Sequence, residues 1–182
     1  MKNSRQHPAP ELAQLPEIAR EAIAAHLERR SANPRAEPVG AFATPAPVFV
    51  TLRKSGELRG CIGELEAHCA DLIAETMDRA VAAAMNDPRF PALTLAELPA
   101  TSIEVSVLSP LEPVSSEAEL DPKIYGIEIR DDYGHRAVLL PGIGGVNTVE
   151  EQLAITRRKA WIGPDVPITI RRFRVLKIEE GQ

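Results

Sequence analysis

The stretch Val48-Phe49-Val50-Thr51-Leu52-Arg53-Lys54-Ser55-Gly56-Glu57-Leu58-Arg59-Gly60-Cys61-Ile62-Gly63 reads as two strands around a glycine-containing turn. Its register decides the first hairpin of the fold and the direction in which its cysteine points. A three-residue loop of Lys54, Ser55 and Gly56 sets Arg53 opposite Glu57, Leu52 opposite Leu58 and Val50 opposite Gly60. One face then carries Val48, Val50, Leu52, Leu58, Gly60 and Ile62, and the other Phe49, Thr51, Arg53, Glu57, Arg59 and Cys61. A two-residue loop mixes the faces by pairing Leu52 with Arg59, so the three-residue turn with its glycine bulge is expected. Cys61 is thereby placed away from the main core beside Arg59, whose guanidinium favours a thiolate over a thiol of unperturbed pKa about 8.5. The glycines flanking the cysteine signal close approach by another backbone or a ligand. A plainer reading makes Cys61 a small buried hydrophobe and the glycines a bend.

Outward from this hairpin, residues 12–30 have helix-forming composition, ended by Asn33-Pro34, and residues 31–47 form an irregular connection with four prolines and a glycine. Residues 71–85 carry one broad apolar stripe (Leu72, Ile73, Thr76, Met77, Ala80, Val81, Ala84, Met85), alanine-rich enough for close packing on a sheet. Asp87-Pro88 stops this helix. Ile103, Val105 and Val107 alternate as a strand, and residues 125–130 and 135–140 form a second hairpin around Asp131-Asp132-Tyr133-Gly134. Thr148 and Glu151 have capping-box spacing, predicting a helix to about residue 160. A final strand over residues 167–178 changes phase between Ile170 and Phe173, which predicts a bulge or bend. The order α-β-β-α-β-β-β-α-β implies an α+β fold on a largely antiparallel sheet.

Composition is that of an ordinary soluble domain: 182 residues, 44% apolar and 26% charged, with Lys+Arg 21 against Asp+Glu 26 and a net charge of −5. The longest strictly apolar run spans residues 80–85, and no apolar segment follows the basic N-terminal residues, so neither a membrane span nor a signal peptide is expected. A cytoplasmic protein with free thiols is the reading. Residues 157–182 are basic, but with only Trp161 and Phe173 as aromatics in an acidic chain they argue against nucleic acid. Residues 1–11 are expected to be disordered or loosely ordered, and residues 12–178 to form a single domain.

Other chemistry-bearing residues are sparse. Cys61, His68 and Cys69 give C-x6-H-C, which lacks the paired cysteines of structural zinc, and no metal or cofactor is expected. His68 and His135 are both possible bases for Cys61, while Cys69 reads as a core residue of the following helix. Gly142-Ile143-Gly144-Gly145 before a capped helix suits either an anion or a structural helix start, and matches neither a dinucleotide fingerprint nor a P-loop.

The hexapeptide Leu58-Arg59-Gly60-Cys61-Ile62-Gly63, with Asn86-Asp87-Pro88-Arg89-Phe90-Pro91 and Ile103-Glu104-Val105-Ser106-Val107-Leu108-Ser109-Pro110, resembles the AMMECR domain family, whose prokaryotic members are called AmmeMemoRadiSam system protein A. The resemblance runs from about residue 12 to residue 178, and residues 140–148 are more glycine-rich than the commoner family pattern. It implies an α+β fold of two lobes around a cleft lined by the hexapeptide. It also implies association with a Memo-like protein and a radical SAM protein.

Two readings follow. In the first, Cys61 is a nucleophile or redox thiol, Arg59 stabilises its thiolate or an anionic substrate, and Glu64 assists proton transfer. In the second, the protein is a noncatalytic adaptor docking a small anion or partner peptide. In both, Leu58, Gly60, Ile62, Gly63 and Arg53 line the ligand site. A low-pKa, accessible cysteine separates the two.

Overall fold

The computed structural model describes residues 9–181. Residues 1–8 of the expected loose N-terminal stretch, His7 among them, lie outside the described residues, while Pro10–Gln14 form a 3-10 helix. Two compact units emerge, one from residues up to 107 together with those from 176 onward, the other Leu108–Val175.

The first unit holds α1 (Leu15–Glu28), β1 (Val48–Lys54), β2 (Glu57–Gly63), α2 (Leu72–Met85), β3 (Thr101–Leu108) and β8 (Val175–Glu179), with strand order β2-β1-β3-β8. α1 stops earlier than expected, at Arg29, which adopts the left-handed conformation while its N–H and that of Arg30 return to carbonyls of the last turn. α2 starts at Asp71, whose side chain accepts the Ala74 N–H at 2.8 Å. His68 and Cys69 lie in the turn before α2 rather than on it. The predicted apolar stripe packs on β1 and β2 and against α1. Val48, Val50, Leu52, Ile103 and Val105 face it from the sheet, all fully buried. Each such side chain contributes about 2 kcal/mol by leaving water.

The hairpin register differs from expectation. Lys54 pairs with Glu57 across a two-residue turn, Ser55-Gly56, in which both residues have positive φ (55° and 81°). This is the mirror-image turn whose twist matches that of the strands it joins. The observed partners are Arg53↔Leu58, Leu52↔Gly60, Val50↔Ile62 and Thr51↔Cys61, with the irregularity between Leu52 and Arg53. The expected pairs Arg53–Glu57, Leu52–Leu58 and Val50–Gly60 are thus corrected. The extra residue lies within β2, at Arg59, instead of in the loop; a bulge there restores the alternation that the shorter turn would have broken. Gly60 and Ile62 consequently share the core side of Leu52 and Val50, as expected, whereas Leu58 is displaced from it and is 36% exposed.

The second unit holds β4 (Glu112–Pro113), β5 (Gly126–Arg130), β6 (Arg136–Leu139), α3 (Val149–Ala160) and β7 (Thr169–Phe173), in sheet order β4-β7-β5-β6. α3 opens on the predicted capping box and covers β5 and β6, burying Ile127, Ile129, Leu139 and Leu153. The phase change in the last predicted strand is a full break at Arg174: β7 belongs to this sheet and β8 to the other. Both sheets are antiparallel in their paired strands, so the fold is α+β. Among the described residues no helix is long and apolar enough to cross a membrane.

The fit of α2 on β2 leaves no room at Gly60, where an added Cβ would overlap the Ala83 carbonyl oxygen of α2. Gly60→Ala is expected to lower stability by about 2 kcal/mol in urea unfolding, through displacement of α2. Gly144→Ala, where a Cβ meets nothing within 4 Å, should change it little.

Candidate functional site

β2 is an edge strand, so the backbone groups of Cys61 that point away from β1 have no strand partner. The segment after α2 supplies one. Asp87, buried, accepts the Cys61 N–H on Oδ2 at 2.8 Å, and Arg89 Nη2 donates to the Cys61 carbonyl at 3.3 Å. Asp87 in turn holds Arg89 through its N–H (3.0 Å), Nε (2.9 Å) and Nη2 (2.7 Å). The carboxylate and guanidinium therefore take both backbone groups that Cys61 presents to the open edge of β2. Arg89 holds the Asp87 carboxyl far below the usual carboxylate range, and the Cys61 and Arg89 N–H groups push it the same way against the opposing effect of burial. The Arg89 guanidinium is raised in return, chiefly by Asp87, with the nearby Cys61 thiol as a smaller contributor.

The thiol itself is half-buried, and Thr51 Oγ1 lies 3.3 Å from its Sγ. A hydroxyl in that position can donate to a thiolate. Cys69 differs: burial and then Glu75 push its thiol pKa up, and its N–H donates to Glu75 Oε2 at 2.9 Å.

The remaining expected site residues are distributed as follows. Arg59, on the bulge, donates to both carboxylate oxygens of Glu97 (3.3 and 3.2 Å) and to the Pro91 carbonyl (2.9 Å). With Lys54 also donating at 3.0 Å, the Glu97 carboxyl is lowered to about 2, mainly by Arg59. Arg59 thus fastens the 91–97 segment to the hairpin, and the guanidinium bonded to Cys61 is that of Arg89. Glu64 is held below its ordinary value, first by His68 (2.5 Å) and also by Arg79 (2.8 Å). Arg53 is exposed and donates to the Gly56 carbonyl at 3.3 Å. Ile62 packs at the core margin, and a Cβ at Gly63 would overlap Phe49. The close approach signalled by the two glycines is therefore accounted for by α2 at Gly60 and by Phe49 at Gly63.

The imidazole of His135 is bound to Asp131 at 2.7 Å and that of His68 to Glu64, each four residues away. Among the described residues no three His, Cys, Asp or Glu side chains are grouped to hold a metal ion. At the Gly142–Gly145 turn, the N–H groups of Asn147 and Thr148 are taken by Glu151 Oε2 (2.7 and 3.1 Å), as a structural helix start requires. Asp87, Arg89 and Thr51 were not singled out as site residues from the sequence. The available signal was the Asp-Pro-Arg segment after the helix, whose helix-stopping role masked its side-chain chemistry.

A family model described as AMMECR1 matches residues 16–178. The chain belongs to the AMMECR1 family. Its AMMECR1 relatives include a Thermotoga maritima protein, 47% identical over 136 residues that make up 74% of this chain and 78% of that one. A Methanothermobacter thermautotrophicus protein is 40% identical over 162 residues, covering 83% of this chain and 82% of its own. Clostridium acetobutylicum protein CA_C1420 is 42% identical over 135 residues, 74% of this chain but 28% of that protein. The crystal structure of uncharacterized protein PH0010 from Pyrococcus horikoshii superimposes with a TM-score of 0.80 at 28% identity, covering 94% of this chain and 92% of that one. The AMMECR1 fold seen here is therefore shared with a solved structure.

Because the folded Asp87 carboxyl titrates below its unfolded value of about 3.9, its contribution is present above that pH and is lost as acidification proceeds toward the folded value. Asp87→Asn is expected to cost about 3 kcal/mol at pH 7, since it strands buried donors and the Arg89 charge. Thermal melts between pH 7 and pH 3 should show a shallower acid decline in the variant than in the wild type.

Proposed function

We propose that this AMMECR1 protein is a cytoplasmic component of a system that includes a Memo-like protein and a radical SAM protein, and that Cys61 binds or relays a group delivered by such a partner. The observation that carries this reading is the pairing of Asp87 and Arg89 with the N–H and carbonyl of Cys61, with the Thr51 hydroxyl at the sulfur. The backbone contacts also satisfy the open edge of β2, but packing alone does not require a hydroxyl at the sulfur. The part of the Arg89 guanidinium that remains exposed offers donors to an anionic ligand beside the thiol. In the nucleophilic form of the reading, Sγ loses its proton to water and gives an electron pair to an electrophilic carbon, whose leaving group departs with its bonding pair. Dependence on a partner is supported by the contact at the sulfur, which among the described residues is the Thr51 hydroxyl and not an imidazole. It is supported also by the Clostridium relative, in which the matched region accounts for 28% of a longer chain.

The adaptor reading is favoured by one specific observation, the absence of a directly bonded base among the described residues. In that reading the same Arg89 and thiol dock an anionic group without transferring it.

Competitive alkylation with iodoacetamide at pH 7, followed by peptide mapping, should label Cys61 about tenfold faster than Cys69, and Arg89→Gln should reduce that ratio. Equal protection of both thiols would remove the chemical reading. In reconstituted mixtures with the partner proteins, Cys61→Ser should abolish turnover; robust turnover by the isolated protein, unchanged in Cys61→Ser, would overturn both partner dependence and the role of Cys61.

A further inference from the structure

We propose that Glu104 is the base through which a group carried on Cys61 passes to an acceptor, and that the group is an acyl group held as a thioester. The inference rests on the nucleophilic form of the Cys61 reading and deepens it. Thr51 on β1 stands opposite Cys61 on β2 and, on its other side, opposite Glu104 on β3. Directly opposed residues of antiparallel strands share a face, so thiol, hydroxyl and carboxylate form one row across three strands. The row lies on the side of the sheet away from the buried Leu52, Ile103 and Val105. Two strand spacings set the backbones of Cys61 and Glu104 about 10 Å apart. Thiol and carboxylate thus flank Thr51 at a separation that a bound acyl group and its acceptor can bridge.

Glu104 differs from the other carboxylates around this hairpin. Asp87, Glu97 and Glu64 are each bonded to a guanidinium. Glu104 has the Ser106 hydroxyl at 3.2 Å and the Lys177 ammonium at 3.9 Å, both on Oε1, so that Oε2 is without a hydrogen-bond partner among the described residues. Its side chain is 18% exposed, open to an incoming molecule. The class of group follows from the chemistry of release. A thioether carbon is not displaced from sulfur by a hydroxyl or amine under mild conditions, whereas a thioester carbon is, and a relayed group must leave again. In the first step the thiolate attacks the carbonyl carbon of the delivered acyl compound, whose leaving group departs with its bonding pair. In the second, a hydroxyl acceptor attacks the thioester carbon while Glu104 takes the hydroxyl proton. The C–S bond then breaks, Sγ leaves with the bonding pair, and Glu104 returns the proton to it. Thr51 is a positioning residue, its hydroxyl 3.3 Å from Sγ and able to donate to the departing thiolate.

The probe is p-nitrophenyl acetate with the full chain. Nitrophenolate release reads acylation, and peptide mapping reads the acetyl on Cys61 and its decay to water after the probe is removed. The wild type is expected to acquire the acetyl on Cys61 and to shed it. Glu104→Gln should acquire it too but shed it roughly a hundredfold more slowly, and the acid limb of decay against pH should vanish. Glu104→Asp, which withdraws the carboxylate by one methylene, should slow decay by a smaller factor and keep the limb. Hydroxylamine, which attacks thioesters without a base, should clear the acetyl from the wild type and Glu104→Gln at similar rates. Thermal melts read the fold of each variant, and Glu104→Asp carries the test if Glu104→Gln folds poorly. Decay unchanged in both variants would overturn the role of Glu104 and leave that of Cys61 standing. Nitrophenolate release as fast in Cys61→Ser as in the wild type, with no acetyl on Cys61, would overturn the reading of the thiol and this inference with it.

Discussion

The closest constraint in the first unit is the approach of the α2 backbone to β2 at Gly60, where the Ala83 carbonyl occupies the space a Cβ would need. Backbone contact of this kind is possible because α2 presents Ala80, Ala83 and Ala84 to the sheet, and it fixes the helix in height as well as in direction. The end of the helix is thereby fixed too. Asn86 caps it, and the next residue, Asp87, emerges level with the open edge of β2, where the Cys61 N–H awaits a partner. Burial of the core, position of the helix end and satisfaction of the edge strand are consequences of one missing methyl group.

Charge is handled differently on the two sides of the same hairpin. Near the turn, Arg59 and Lys54 share Glu97, whose oxygens also receive the Thr94 N–H, so each charge there has a structural counterpart. Beside Cys61, Asp87 is saturated by Arg89 and two N–H groups, while part of the Arg89 guanidinium reaches the strand carbonyl and is 54% exposed as a side chain. A saturated buried anion that orients a partly exposed cation is an arrangement that holds a backbone still and keeps a positive group available next to sulfur.

Much of this was legible in the sequence. The β-hairpins, the alanine stripe of α2 and the Thr148–Glu151 box rest on local periodicity and capping chemistry, which tertiary context did not override. The side of the sheet that Cys61 occupies was also legible, because the parity of one extra residue is the same whether it sits in the turn or within the strand. Its location was not. Arg59 as a strand bulge depends on the mirror-image turn at Ser55-Gly56 and on Glu97 receiving its guanidinium from 38 residues away. Asp87 and Arg89 escaped notice for a related reason: their partner is the unpaired edge of a strand, and a sequence read alone does not say which strand is at the edge.

The break at Arg174 bears on the order in which the protein is made. β8 pairs in the sheet whose other strands lie before residue 109, so the first unit is completed only after the whole second unit has been synthesised. The second unit, contiguous from Leu108 to Val175, needs nothing from either flank to close its own sheet. During translation, β3 remains an open edge while the whole second unit is produced, and sheet closure then depends on a contact spanning some seventy residues, the kind of long-range pairing that slows folding and exposes edges to other chains.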